Sequence, residues 1–163
     1  MAAGAIESTD GETTTHERGK ETRGDMMETA GGAEATDMLN AVRKALAEGS
    51  ESVKALECTF KRCAGGLRLG EPSQTLGELT DAIGNLALLA ELVGQLRSGL
   101  LVLRVEGTPF SRWQASAEAF QGMVTALEGK DWVFLSDLLE YEICPLMQET
   151  EKEMSLLSEQ LGA

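Results

Sequence analysis

Nine positions between residues 39 and 67 fix what this chain can fold into. Leu39, Val42, Leu46, Gly49, Val53, Leu56, Phe60, Cys63 and Leu67 follow one another at alternating intervals of three and four residues. That is a heptad seam, mostly apolar and held for four repeats. A stripe of this length belongs to a single long helix, and it must be covered by other helices. Gly49 sits on the seam. It either breaks the helix in two or lets a neighbour approach closely, and the unbroken phase from Leu46 to Val53 favours one helix.

The residues around the seam set its expected ends. Thr36 is a good N-cap, and Asp37 follows in the first turn, where the helix dipole favours an acid. Gly65-Gly66 is expected to stop the helix after about Ala64, leaving Leu67 just beyond. Residues 1–35 are Gly, Thr, Glu and Ala with hardly an aliphatic side chain, and they carry eight acids against three bases. They have too little to bury to offset the entropy of ordering. The expectation is a disordered acidic tail over 1–35 and a helical bundle domain over 36–163. The alternative for the tail is a recognition segment that folds on a partner.

Three further stripes follow. The second helix is expected after Pro72, with Thr75 and Glu78 as a capping box. Its stripe runs Leu76, Leu79, Ile83, Leu86, Leu89, Leu92, Val93, Leu96, Leu100, Leu103. The apolar arc widens between Leu86 and Val93, which predicts the most buried helix. Gly84 and Gly94 lower its propensity but permit close packing. Thr108-Pro109 reads as the start of a third helix reaching about Glu128, with Phe110, Trp113, Phe120, Met123, Val124 and Leu127 inward. Asp131 should cap a fourth helix that runs to about Leu161. Pro145 lies inside it and predicts a kink near Tyr141 to Pro145. Strand-favouring β-branched and aromatic residues are sparse. Short links between long helices force antiparallel neighbours. The expected fold is all-α: an antiparallel up-down-up-down four-helix bundle behind a disordered N-terminal tail.

Charge and residue types then remove function classes. The net charge is −13, with no long basic run, so phosphate backbones and anionic lipid surfaces are disfavoured as partners. No uninterrupted apolar stretch approaches the roughly 20 residues of a membrane span. The first residues lack the basic and apolar regions of a signal peptide. Cys58, Cys63 and Cys144 show no metal or redox spacing, and they read as reduced thiols in a cytoplasmic protein. The only histidine, His16, lies in the expected tail. That removes most hydrolytic triads, most zinc sites and Glu-x-x-His di-iron sites. Gly65-Gly66 lacks a following Gly-Lys-Ser/Thr, so no phosphate loop is present. Asp137, Glu140 and Tyr141 share a helix face, read as a solvated acidic face, with a carboxylate metal site as its alternative. No enzyme activity, cofactor or metal is expected.

Six of the seven aromatic residues fall between Phe110 and Tyr141. They fill the core of a hairpin or line a groove. Trp132, Val133, Phe134 and Leu135 are consecutive, and four successive helical residues cover every direction. At least one must lie off the core, beside acids, as in a groove for a partner helix. The candidate partner-binding residues are therefore Trp113, Phe120, Trp132, Phe134 and Tyr141. Tyr141 either bonds a carbonyl freed by the kink or lines the groove.

The turn Gly129-Lys130-Asp131, the tryptophan-bearing helix after it, the string Asp137-Leu138-Leu139-Glu140-Tyr141-Glu142 and then Pro145 resemble a block in small acidic helical proteins of Firmicutes-type bacteria, a group that implies no assigned activity. The architecture is similar to flagellar and secretion export chaperones, small acidic bundles that hold a partner's terminal helix; this is a likeness of fold and composition only. The function these features imply is a cytoplasmic chaperone- or adaptor-like module that accepts an amphipathic helix. The alternative is a structural helical protein that self-associates, as a homodimer, with no separate ligand.

Overall fold

The computed structural model describes residues 21–70 and 72–162, with side chains from Gly31 onward. Among the described residues the chain is all-helical, with no strand. In order come α1 (Glu21–Arg68), α2 (Pro72–Val102), α3 (Ser111–Ala115), α4 (Ala117–Gly129), α5 (Trp132–Leu138), a π-helical turn (Leu139–Ile143) and α6 (Cys144–Gly162). By its contacts the chain divides between Ala35 and Thr36.

The start of α1 differs from expectation. It begins at Glu21, so Thr36 lies inside the helix rather than capping it. Glu, Met, Ala and Arg between residues 21 and 35 are good helix formers, and they outweigh the glycines there. Of the tail expected to be disordered, residues 21–35 are thus helical and residues 1–20 lie outside the described residues. The far end differs too. Gly65 and Gly66 are both helical, α1 runs on to Arg68, and Gly70 takes the left-handed conformation, at φ 79°. Leu67 is consequently helical and buried.

The seam itself faces inward. Val42, Leu46, Val53, Leu56, Phe60, Cys63 and Leu67 are buried in one core with residues of α2, α4, α5 and α6. Gly49 does not break α1. A Cβ there would stand 3.1 Å from Leu92 Cδ2 and 3.1 Å from Met154 Sδ, so the glycine is the close-approach point of α1 with α2 and α6. Rising numbers in α1 meet falling numbers in α2. Val42 lies beside Gly99, Gly49 beside Leu92, and Gly66 beside Thr75, while Arg62 pairs with Glu78. The same holds toward the C-terminal elements. Arg43 donates to the Leu161 carbonyl, Ser50 to Glu151 at 3.4 Å, and Gln148 to Glu57 at 2.7 Å. Ser136, fully buried on α5, donates to the Ala64 carbonyl at 2.9 Å.

Local readings of the other helix starts fared unevenly. α2 begins at Pro72, which places Thr75 and Glu78 within it rather than as a capping box. Thr75 is buried against Gly66, and Glu78 is held by Arg62. The predicted single helix after Thr108-Pro109 is two short ones. Phe110 is left-handed at φ 57° and fully buried, and the helix starts only after it. Ser116 divides α3 from α4, its hydroxyl donating to the Arg112 carbonyl at 2.7 Å. Burial of Phe110 and this side-chain bond override the local start signal. Asp131 does cap α5, accepting from the Phe134 amide at 3.0 Å. At Pro145 the ladder widens: the Cys144 amide bonds the Leu139 carbonyl, five residues back. A π turn removes the crowding that a proline ring imposes on a regular α turn.

α2 is less buried than its arc suggested. Leu88 is 64% exposed and Val102 66% exposed, and both face away from the core. Gly84, in the middle of α2, has nothing within 4 Å of an added Cβ. Gly84→Ala is therefore expected to raise the unfolding free energy by about 0.5–1 kcal/mol, through helix propensity and a less flexible unfolded chain. Urea titration checks it; a loss of stability would show that this position is packed.

Candidate functional site

The five aromatics singled out by the sequence differ in exposure. Trp113 and Phe120, on α3 and α4, are half-buried and pack at a tilt of 43° with ring centres 5.9 Å apart. The Trp113 indole donates to Thr150 Oγ1 at 2.8 Å, and Thr150 in turn donates to the Leu146 carbonyl at 2.7 Å. These two rings therefore fasten α3 and α4 to α6, with their polar edge satisfied inside the fold. Trp132 is half-buried in the first turn of α5 and packs on the core. Phe134 and Tyr141 are the outward ones, 45% and 63% exposed. They lie seven residues apart, Phe134 on α5 and Tyr141 in the π turn.

Around Tyr141 the acids already have a partner. Arg68, at the end of α1, bonds Asp137 at 2.8 Å and also Glu140, and its guanidinium carbon lies 6.0 Å from the centre of the Tyr141 ring. The arginine thus pairs with both carboxylates of the face that offered a carboxylate site and offsets one of their two charges. Among the described residues no three His, Cys, Asp or Glu side chains converge as metal ligands.

A second feature was not singled out by the sequence reading. Two open grooves lie between α1 and α2 on either side of the Gly49–Leu92 close approach, and Leu92 lines both. One, of about 550 Å³, is walled by Ser52, Ala55 and Thr59 of α1 and by Asp81, Asn85 and Leu88 of α2. The other, of about 640 Å³, is walled by Met38, Ala41 and Ala45 of α1 and by Glu91, Gly94 and Val102 of α2. From Met38 to Thr59 the α1 wall is about 32 Å long at 1.5 Å per residue. Small residues on one wall and exposed Leu88 and Val102 on the other make a long, shallow, mostly apolar track. A signal for it existed in α2: over Pro72–Val102 the charged residues are Glu78, Asp81, Glu91 and Arg97 alone. By length and composition α2 is also the one described helix long and apolar enough to cross a membrane. Its stripe of Leu79, Leu86, Leu89, Val93, Leu96 and Leu100 nevertheless packs in the core.

The cysteines divide by burial. Cys58 is exposed, while Cys63 and Cys144 are buried. Burial pushes the Cys63 thiol up. Burial, reinforced by the Glu57 carboxylate, pushes Cys144 up to about 11. At pH 8 one thiol per native chain should react promptly with an aromatic disulfide, and three after denaturation; prompt reaction of three in the native state would contradict the packing. Cys144 also sets an alkaline limit. Its folded value exceeds the ordinary 9.0, so its contribution is fully present below pH 9 and is lost as pH rises through about 11. Denaturant titrations should show that decline in the parent chain and a smaller one in Cys144→Ala.

Residues 44–153 match a family described as Domain of unknown function (DUF8042). No curated protein and no solved structure matches the chain.

Proposed function

The chain belongs to the DUF8042 family, and for it we propose a non-enzymatic, chaperone- or adaptor-like role: the α1/α2 face accepts an amphipathic helix of a partner protein. The observation that carries this reading is the pair of grooves between α1 and α2, which flank Leu92, together span about 32 Å of α1 and are edged by exposed Leu88 and Val102. A track of that length suits a helix of about 20 residues better than a compact small molecule. The supporting scaffold is an up-down-up-down four-helix bundle made of α1, α2, α3–α4 and α5–α6. The opposed contact order of α1 with α2 and with α6 is consistent with it. In such a bundle the seam of α1 is spent internally, and the outer side of the α1/α2 pair is left to a partner. The setting proposed is the cytoplasm, consistent with exposed Cys58 as a free thiol.

Phe134 and Tyr141 form the second surface of interest, because two large rings stand exposed on α5 and the π turn. Trp113, Phe120 and Trp132 support that hairpin from within rather than contact the partner.

The test is binding of a fluorescent synthetic peptide with a Leu/Ala face and an uncharged Gln/Ser face, read by anisotropy. Saturable binding that is lost in Gly94→Leu is the expected result. Gly94 has nothing within 4 Å of an added Cβ and lines the groove, so a leucine there is directed into the track, and a thermal melt matching the parent checks that the fold is kept. Binding unchanged in Gly94→Leu and lost in Phe134→Ser would move the site to the aromatic side. Absence of binding at millimolar peptide would remove the helix-binding reading.

A further inference from the structure

We propose that the partner helix is basic: it lays an apolar face in the α1/α2 track and sets Lys or Arg side chains about three turns apart against Asp81 and Glu91. This rests on the helix-binding reading and adds the chemistry of the partner.

The charges lining the track are of one sign. Glu78 and Asp81 border one groove, Glu91 borders the other, and no Lys or Arg lines either. Glu78 is engaged by Arg62. Asp81 and Glu91 are exposed, and neither is among the ion pairs formed by the described residues. Some exposed acids have partners, as Glu51 with Lys54 and Glu149 with Arg112, and others, as Glu118 and Glu128, are in none of these ion pairs; what sets Asp81 and Glu91 apart is that both border the grooves. The two unengaged acids are ten residues apart, about 15 Å along α2. Cations about eleven residues apart on a docked helix would meet that spacing.

The same charges weigh against the other occupants. A second copy would bring its own Asp81 and Glu91, and a further charge of −13, to a surface that offers no cation in return. An anionic membrane surface meets the same repulsion. A basic helix is instead drawn in by the field of the whole chain and then held in register by two local acids.

Two peptides test this, identical in their Leu/Ala face. One carries Lys at two positions about eleven residues apart, and the other carries Glu at the same positions. At low salt the Lys peptide should bind about tenfold more tightly, and the ratio should shrink toward unity near 1 M salt, where the screening length is about 3 Å. The double variant Asp81→Lys/Glu91→Lys should reverse the order, and Gly94→Leu should abolish binding of both. A thermal melt of each variant matching the parent establishes that folding is retained. Equal affinity of the two peptides for the parent chain overturns the charge assignment and leaves helix binding standing. Failure of both peptides, and of the uncharged one, overturns helix binding itself. Parent chain that sediments as a dimer, with Gly94→Leu monomeric, assigns the track to a second copy. Co-sedimentation with phosphatidylcholine vesicles, lost in Leu88→Asp, assigns it to lipid. Either of those two results overturns the proposal.

Discussion

Phe60→Ala lowers the unfolding free energy by about 3–5 kcal/mol, the range for truncating a fully buried aromatic ring. Phe60 is 0% exposed and sits at the seventh of the nine seam positions, in the core shared by α1, α2 and the C-terminal helices. The loss combines the transfer free energy of the ring with the cavity left behind, and a helical core relaxes only partly into such a space. Guanidinium or urea titration measures it. A change below about 0.5 kcal/mol, the size found at surfaces, would mean that the seam is not covered within the monomer. The seam would then have to be a self-association stripe, and the alternative of a homodimeric structural protein would take precedence.

The second large effect is expected at the closing turn of α1 and α2. Gly66→Ala puts a Cβ into the space of the Thr75 hydroxyl. Thr75 is buried and β-branched, so it has few rotamers into which to retreat. Overpacking of this kind costs about 1–3 kcal/mol, against which the better helix propensity of alanine returns less than 1. Thr75→Ala removes the obstructing atom. The double variant Gly66→Ala/Thr75→Ala should therefore be more stable than the sum of the two single effects by at least about 1 kcal/mol. Additive behaviour would show that the two helices do not meet there. Gly84→Ala, with open space at the same Cβ direction, should change stability in the opposite sense, so the two glycines separate packing from propensity.

How much of this was legible in the sequence depends on which signal is asked. The seam was legible because burial imposes a period, and nine positions obey it; the eight that follow Leu39 are all buried. The cap at Asp131 was legible because it is made within one turn. The disturbance before Pro145 was also legible, since a missing amide leaves the ladder little choice, although its form as a π turn was not. Other helix ends were misread for two physical reasons. Thr36 is passed over because good helix formers precede it, whereas Gly65-Gly66, Thr75 with Glu78, and Thr108-Pro109 are local signals of modest free energy that tertiary contacts outweigh. Gly66 stays helical where α2 comes close, and Phe110 enters the core before any helix can begin at Thr108.

The candidate site was legible only in part. Consecutive Trp132, Val133, Phe134 and Leu135 did imply an outward ring, and Phe134 is that ring. Trp113 was not separable from it, because a helical period does not show that an indole N–H has an internal partner in Thr150. The α1/α2 track went unseen for the converse reason. It is made by small residues on one helix and a few exposed aliphatics on another, and only the packing of the pair brings Ala41, Ala45 and Ala55 opposite Leu88 and Val102. What the sequence did hold was a scarcity of charge on α2 and glycines there, such as Gly84 and Gly94, that packing within the chain does not explain.

The α1/α2 face is the docking surface proposed for a partner helix. Amide hydrogen exchange of the full chain, with and without the Lys-bearing peptide, tests it most directly, because local protection reports which backbone segments are stabilised. Slower exchange is expected along residues 38–59 of α1 and 81–102 of α2, with little change from Trp132 to Tyr141. Protection confined to Trp132 through Tyr141, with α1 and α2 unchanged, would contradict it.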